Sequence, residues 1–274
     1  MIATKPLSFN LNWLDRREPA DNAAQNADVL GALIRYFAAC KTLHIVDLGA
    51  GSGSCFRKLS PLLPQEQVWL LVDGDARLLN VALERCRPLA EQTKGRVVTV
   101  SARAGNIDAC LADCIRPDAN LVTLAAFLDL VSERFVEEFT EVLATRSLPV
   151  YATLNYSGVE SWLPPHALDA AVLDAFLAHQ RSDKGFGNAL GPDTAGCFER
   201  ALRKRGYDVH SGPSDWSLDR DHAPLIVRLA KGIAAAVGET GRIDPVDLAS
   251  WLAARLQSQA AVIGHTDIFA APRA

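Results

Sequence analysis

The stretch that decides the fold is HIVDLGAGSGSCFRKL, residues 44–59. Its apolar run ends in Asp47, and glycines follow at positions 49, 51 and 53 before a segment of helical character. A buried strand, a glycine turn and a helix form the device by which an open parallel sheet holds a ligand at its carboxyl edge. The stretch therefore predicts a ligand site but does not by itself name the ligand.

Strand-like and helix-like patterns alternate on both sides of this turn. Parallel neighbours need crossover connections, so the alternation predicts an α/β fold with a doubly wound, seven-stranded, mostly parallel sheet and helices on both faces. The last strand is expected to be antiparallel. The predicted strands are apolar runs at 43–48, 68–73, 96–100, 120–127, 149–156, 207–212 and 260–270.

The alternation breaks after the fifth and sixth predicted strands. Residues 157–192 contain one predicted helix, about 166–180, and a polar loop with glycines. Residues 213–258 contain two more predicted helices before the last strand. Both segments are interpreted as helical insertions into the sheet.

Composition excludes some classes of function. A formal net charge of -4 gives no electrostatic footprint for a polyanion, so nucleic acid is not expected as a partner. The N-terminal stretch lacks an apolar signal-peptide core, and no run approaches the roughly 20 apolar residues of a membrane span. A cytoplasmic protein is therefore expected. The six cysteines form no CxxC pair and predict free thiols, and no metal constellation is found.

The chemistry around the glycine turn restricts the ligand. Dinucleotide sites use G-x-G-x-x-G, and here Ser54 occupies the third glycine position. A carboxylate at Asp47 would repel a pyrophosphate and attract a cationic group. The pattern favours a positively charged ligand without phosphates, such as S-adenosylmethionine.

VDLGAGSGS, together with LLVDGD at 70–75, resembles the first two motifs of the class I S-adenosylmethionine-dependent methyltransferases over roughly residues 30–156. The resemblance implies that Asp73 binds the ribose hydroxyls, with Asp75 as the alternative, and charge-assisted hydrogen bonds suit that role. It also implies adenine contacts at Asn106, or instead Asp108, and at the Ile107 amide. The implied cofactor-binding residues are Arg17, Asp47, Gly49, Ala50, Gly51, Gly53, Asp73, Gly74, Asn106, Ile107 and Ala125.

Both ends of the chain, WLDRREPADNAAQNADVL and VIGHTDIFAAP, are similar to a group of uncharacterised bacterial methyltransferase-like proteins. This resemblance implies a single methyltransferase domain over 1–274, with 1–40 as an N-terminal lid and helix region. Arg17 would then pair with the methionine carboxylate of the cofactor. The insertions at 157–192 and 213–258 would cover the acceptor site.

Methyl transfer is an in-line displacement for which the protein supplies alignment and excludes water. In the methyltransferase fold the acceptor lies above the fourth and fifth strands, so Asp129, Tyr156 and His265 are the candidate catalytic residues. His179, Arg181 and Lys184 on the first insertion are candidates for substrate binding.

The predicted function is methyl transfer to a small-molecule O or N acceptor, and a homodimer is possible. Two alternatives stay open. One is a regulatory module that binds S-adenosylmethionine or S-adenosylhomocysteine without catalysis. The other is a nicotinamide-dependent oxidoreductase, which Asp47 and Ser54 disfavour.

Overall fold

The computed structural model describes residues 10–63, 66–92, 95 and 97–273. Residues 1–9 of the predicted lid region and Arg96 of the third predicted strand lie outside the described residues. Within the described part, eight strands form one sheet in the order β3-β2-β1-β4-β5-β8-β6, with β7 paired to β8. The strands are β1 (Thr42–Leu48), β2 (Glu66–Asp73), β3 (Val97–Ala104), β4 (Leu121–Ala125), β5 (Val150–Leu163), β6 (Tyr207–Pro213), β7 (Trp216–Leu218) and β8 (Ala260–Pro272).

The first five strands pair in parallel, whereas β8 runs antiparallel to β5, β6 and β7. The predicted α/β class, the mostly parallel sheet and the antiparallel last strand are therefore confirmed. The helices are α1 (Leu11–Ala24), α2 (Ala27–Phe37), α3 (Ser54–Leu59), α4 (Ala76–Glu91), α5 (Leu111–Cys114), α6 (Glu133–Thr145), α7 (Asp169–Gln180), α8 (Thr194–Lys204), α9 (Ala223–Thr240) and α10 (Pro245–Arg255).

Helices cover both faces of the sheet, where α2, α4, α6 and α8 each turn one apolar stripe inward. Helices α2, α3 and α4 bury their stripes in one core, and α5, α6 and α8 bury theirs in a second core. Helix α6 is typical: Phe135, Phe139 and Leu143 are at most 1% exposed, and the Ser132 hydroxyl accepts from the Phe135 amide at its start. A third core joins α1, α7, α9 and α10 to the far ends of β5 and β8. We call this third unit the cap.

The structure corrects the predicted boundaries of the insertions. Residues 157–163 continue β5 and pair with β8, so the first insertion is helical only from Asp169. The second insertion contains the short strand β7, which raises the strand count from seven to eight. Trp216 and Leu218 in that strand are buried and Ser217 is exposed, an alternation too short to be recognised in the sequence.

A buried carboxylate fixes the place where β5 bends. Asp267, which is fully buried, accepts hydrogen bonds from the amides of Asn26 and Leu154 and from the Ser214 hydroxyl, at 2.7–2.9 Å. Leu154 has a φ of 56°, at a shift in the β5–β8 register. Asp267 thus joins β8, the start of α2 and the bulge of β5, and this arrangement brings the cap beside the carboxyl edge of the sheet.

Candidate active site

The glycine turn has the backbone geometry that its sequence requires. Gly49, Gly51 and Gly53 all have positive φ, between 52° and 83°. The amides of Gly49 and Ala50 donate to the Val72 carbonyl at 2.8 and 3.0 Å, which ties the turn to the end of β2. A Cβ on Gly49 would lie 2.6 Å from Cδ2 of Phe127. Only glycine fits there, because both the conformation and the space exclude a side chain.

A cavity of about 450 Å³ opens at this edge of the sheet, next to the ends of β1, β2 and β4. The structure brings all of the predicted cofactor-binding residues except Gly53 to its wall. Gly53 instead faces Cys86 and Ala82 of α4 and begins α3, so its role is in packing. The predicted residues that line the cavity are Arg17, Asp47, Gly49, Ala50, Gly51, Asp73, Gly74, Asn106, Ile107 and Ala125.

Asp47 is the most unusual group in the cavity wall. Its side chain is almost completely buried, and Oδ1 accepts from the Thr123 hydroxyl at 2.8 Å. Oδ2 has no hydrogen-bond partner among the described residues. Burial raises the pKa of Asp47 to about 7, the Thr123 hydroxyl and the neighbouring Cys55 thiol oppose that effect, and the negative charge of Asp73 adds to it. A buried carboxylate oxygen without a donor is a binding position for a cationic or hydrogen-bond-donating ligand group.

Asp73 ends β2 and connects the turn to the next strand. Its Oδ2 accepts from the Gly51 amide and its Oδ1 from the Asp75 amide, both at 2.8 Å. Burial raises the pKa of Asp73, while these amides act in the opposite direction. Each carboxylate oxygen can accept a second hydrogen bond, so the group can still receive two hydroxyls. Asp75, the alternative candidate, instead caps α4 through the Arg77 amide at 2.9 Å.

The third strand end contributes Asn106 and Ile107 to the cavity wall. The Asn106 side-chain oxygen accepts from the Ala109 amide at 3.3 Å, so it stabilises the turn in which it lies. Asp108, the other predicted candidate, forms an ion pair with Arg134 and does not line the cavity.

Helix α1 closes one side of the cavity with Leu14, Arg17 and Asp21. Nε and Nη2 of Arg17 donate to the two oxygens of Asp21 at 2.8 and 3.1 Å, and the guanidinium lies 5.2 Å from the ring centroid of Trp216. Glu18 holds the helix to α3 through a two-point ion pair with Arg57. The helix is therefore held over the turn by charged contacts on both of its sides.

None of the three candidate catalytic residues lines the cavity. The rings of Tyr156 and His265 lie 6.2 Å apart, and the charge of Asp129 acts on Tyr156. Oδ1 of Asp129 is buried without a partner among the described residues, and burial raises the pKa of Asp129 to about 6. The Tyr156 hydroxyl donates to Glu160 at 2.8 Å, and burial raises its pKa further from neutrality. Burial, assisted by the charge of Arg17, lowers the pKa of His265 to about 3. His265 is thus a weak base at neutral pH.

The three candidate substrate-binding residues are separated in the structure. Lys184 lines the cavity, and His179 lies behind it with Nδ1 at 3.3 Å from Nζ of Lys184. Arg181 is largely exposed, pairs with Asp193 at 2.9 Å and does not reach the cavity.

Sequence reasoning missed several residues of the wall, chiefly Phe127, Leu130 and Phe186. Phe127 and Phe186 pack edge to face with centroids 5.3 Å apart, which brings the loop after α7 to the end of β4. A phenylalanine between two glycines, GFG at 185–187, was the available signal, because an aromatic side chain in a polar loop needs an apolar surface to cover it.

Among the residues that the structure describes, no helix is long and apolar enough to cross a bilayer. Within the same described ranges, no group of three or more His, Cys, Asp or Glu side chains is arranged to hold a metal ion.

Solved structures with a similar chain trace define the class of fold. A cyclopropane-fatty-acyl-phospholipid synthase-like protein from Lactobacillus casei has 14% identity and a TM-score of 0.54, with 97% of this chain and 95% of that chain covered. The YcgJ protein from Bacillus subtilis has 13% identity and a TM-score of 0.50, with 91% and 100% covered. An S-adenosylmethionine-dependent methyltransferase from Geobacter sulfurreducens in complex with S-adenosyl-L-homocysteine has 17% identity and a TM-score of 0.48, with 97% and 100% covered.

The chain therefore shares its fold with the first two of these structures, a Rossmann-like α/β fold of the kind that the motif VDLGAGSGS led us to expect. No protein-family model and no curated protein sequence matches the chain. At these identities the likeness is one of fold.

Proposed function

We propose that the protein is an S-adenosylmethionine-dependent methyltransferase that acts on a small-molecule O or N acceptor. The observation that carries the proposal is the pair of carboxylates at the ends of β1 and β2, above all the buried, unpartnered Oδ2 of Asp47 in the cavity wall. Asp47 would repel a pyrophosphate, whereas a ligand with cationic groups and ribose hydroxyls matches both members of the pair. S-adenosylmethionine supplies a methyl group bound to a positively charged sulfonium. The leaving group is then a neutral thioether, which departs readily.

The residues around the cavity divide the work of binding. Asp73 would receive the ribose hydroxyls, Asp47 would favour the cationic part of the ligand, and Asn106 and Ile107 would contact the adenine. Arg17 would pair with the methionine carboxylate, because Asp21 engages only Nε and Nη2 of its guanidinium. Helix α1 would act as the lid that excludes water from the displacement.

The chemistry of the neighbouring side chains favours alignment over proton removal. His265 has its pKa lowered to about 3, and the hydroxyl of Tyr156 is engaged by Glu160. Asp129, with its pKa raised to about 6, is the best matched of the three to act as a base near neutral pH. We propose that it orients or deprotonates the acceptor, with the two inserted segments, 157–192 and 213–258, covering the acceptor site.

Three further properties are predictions on which this function does not depend. The protein is expected to be cytoplasmic and not to bind nucleic acid, and a homodimer is the candidate assembly. A regulatory module that binds the cofactor without catalysis would use the same cofactor-binding residues and would need no acceptor site. A screen for acceptor-dependent formation of S-adenosylhomocysteine separates these two functions.

The decisive experiment is calorimetric titration with S-adenosylhomocysteine and, separately, with NAD. We expect the first to bind and the second not to bind. Asp73→Ala should lower the affinity for S-adenosylhomocysteine by about 100-fold, since two charge-assisted hydrogen bonds of ~1.5 kcal/mol each to the ribose would be lost. Asp75→Ala removes a carboxylate two positions away, outside the cavity wall, and serves as the matched control with unchanged affinity. Binding of NAD, or equal effects of the two substitutions, would contradict the proposal.

A further inference from the structure

The cavity has two cationic side chains in its wall within the described residues, Arg17 and Lys184. The charge of Arg17 is balanced at close range by Asp21, through hydrogen bonds of 2.8 and 3.1 Å. Lys184 is instead hydrogen-bonded to an imidazole, with Nζ at 3.3 Å from His179 Nδ1. An ammonium has three N–H donors, and this contact engages one of them, so two are left for other partners.

A carboxylate on the far side of the imidazole fixes this arrangement. Nε2 of His179 lies 3.1 Å from Oε2 of Glu239, near the end of α9. A carboxylate can only accept at Nε2, so Nδ1 carries the lone pair and accepts from Lys184. Burial lowers the pKa of Lys184, and the Glu239 charge opposes that effect. The chain of three groups holds the ammonium in one position and helps to keep it protonated.

The loop that carries Lys184 is itself well anchored. Phe186 packs edge to face on Phe127, and the Asp183 carboxylate accepts from two amides of the loop at 2.7 and 3.1 Å. Lys184 therefore lies on a braced segment beside the end of β4, above which the acceptor is expected. The surrounding wall is apolar, with Phe127, Leu130 and Phe186 as its main side chains.

We infer that Lys184 is the anion-binding group of the acceptor site, and that the methyl acceptor is a small molecule with one carboxylate on an apolar body. A single ammonium between aromatic and aliphatic walls matches one negative charge, whereas a phosphate dianion needs more donors to be desolvated. Asp47 and Asp73 remain for the cationic cofactor, so the two ends of the cavity have opposite charge preferences. This inference rests on the proposed methyl transfer.

The test uses benzoate, phenylacetate and hexanoate, each compared with its uncharged primary amide, on protein saturated with S-adenosylhomocysteine. Binding is followed by NMR chemical-shift titration. We expect at least one acid to bind at least tenfold more tightly than its amide, and Lys184→Gln to abolish that preference. Arg181→Gln is the matched control, because Arg181 lies three residues away in sequence and outside the cavity wall. It should keep the preference, and thermal melting should confirm that both variants are folded.

The outcomes separate the two proposals. Failure of S-adenosylhomocysteine to bind the wild-type protein would overturn the proposed function itself. If that ligand binds but no acid is preferred over its amide, or if Lys184→Gln keeps the preference, the acceptor inference is wrong and the proposed function is untouched. If Lys184→Gln weakens S-adenosylhomocysteine and leaves the acids unaffected, Lys184 serves the methionine carboxylate, and the inference is overturned.

Discussion

The two sides of the cavity are built in different ways. On the turn side, the Gly51 amide donates to Asp73, and the two residues are 22 apart in the sequence. On the cap side, the Trp216 indole donates to Asp21, and these residues are 195 apart. The turn side thus consists of consecutive strand ends, whereas the cap side is assembled from distant segments.

The polar groups of the two sides are also used differently. On the turn side, Asp47 keeps a buried oxygen without a partner among the described residues. On the cap side, the charges of α1 are already paired, Arg17 with Asp21 in the same helix and Glu18 with Arg57 of α3 on the turn side. The sheet edge thus keeps a carboxylate oxygen available for a ligand before any ligand binds. The charged groups of the cap are instead mostly paired with other protein groups, and these pairs hold the cap in place.

The largest expected effect on stability comes from filling the glycine turn. Gly49→Ala should destabilise the protein by about 2–3 kcal/mol, since a positive φ costs ~1–2 kcal/mol without glycine and Phe127 must also move. Phe127 also lines the cavity, so a shift of its ring should lower S-adenosylhomocysteine affinity at least 30-fold, as measured by calorimetry.

Gly206→Ala is the control for this substitution. Gly206 has a φ of 81°, and nothing within 4 Å would meet a Cβ, so only the backbone cost of about 1 kcal/mol applies. Its affinity for the ligand should not change. Equal losses of stability and affinity in the two variants would mean that the close approach of Phe127 does not matter.

An intermediate effect is expected from the charge of Asp47. A pKa near 7 means that the ligand-free protein holds this carboxyl protonated at low pH, and the ammonium group of S-adenosylhomocysteine favours the ionised form. Affinity for S-adenosylhomocysteine should therefore rise about tenfold between pH 6 and pH 8, with release of a proton.

Asp47→Asn should remove this pH dependence and hold the affinity at its low-pH value. The sign for stability is opposite to that for binding: because the folded pKa is raised, ionisation of Asp47 costs stability as the pH rises through about 7. The variant should thus be at least as stable as the wild type at pH 8 in thermal unfolding. A pH profile identical to that of the wild type would exclude Asp47 as the titrating group.

The smallest effect is expected on the cap side. Arg17→Gln should weaken S-adenosylhomocysteine by only about fivefold, because it removes one ion pair of ~1 kcal/mol to the ligand carboxylate while Glu18 still holds α1 to Arg57. Since the Arg17 charge lowers the pKa of His265, the variant should raise that pKa, which NMR titration of the imidazole can measure. Arg16→Gln, one position away on an exposed side chain, is the control and should change neither quantity. An unchanged His265 pKa in Arg17→Gln would show that the two residues are not coupled.

Much of the turn side could be predicted from the sequence because its signals are local. Strand periodicity and the positive-φ glycines depend on neighbouring residues. The carboxylates at the ends of β1 and β2 come to the same edge because crossover connections impose a parallel order on the strands. The cap side offered no comparable signal. His179, Arg181 and Lys184 lie close together in the sequence, yet only Lys184 reaches the cavity, because α7 ends at Gln180 and the loop then turns on Phe186.

The sequence by itself determined the α/β class, the place of the candidate ligand site at the carboxyl edge and the acidic character of that edge. Tertiary structure alone decided that Phe127 closes on Gly49, that Arg17 is shared with Asp21, and that an imidazole holds Lys184 in the cavity wall. The physical reason is the range of the interactions. Backbone conformation and apolar periodicity act between near neighbours, whereas the pairing and burial of charges depend on which distant segments the packed cores bring together.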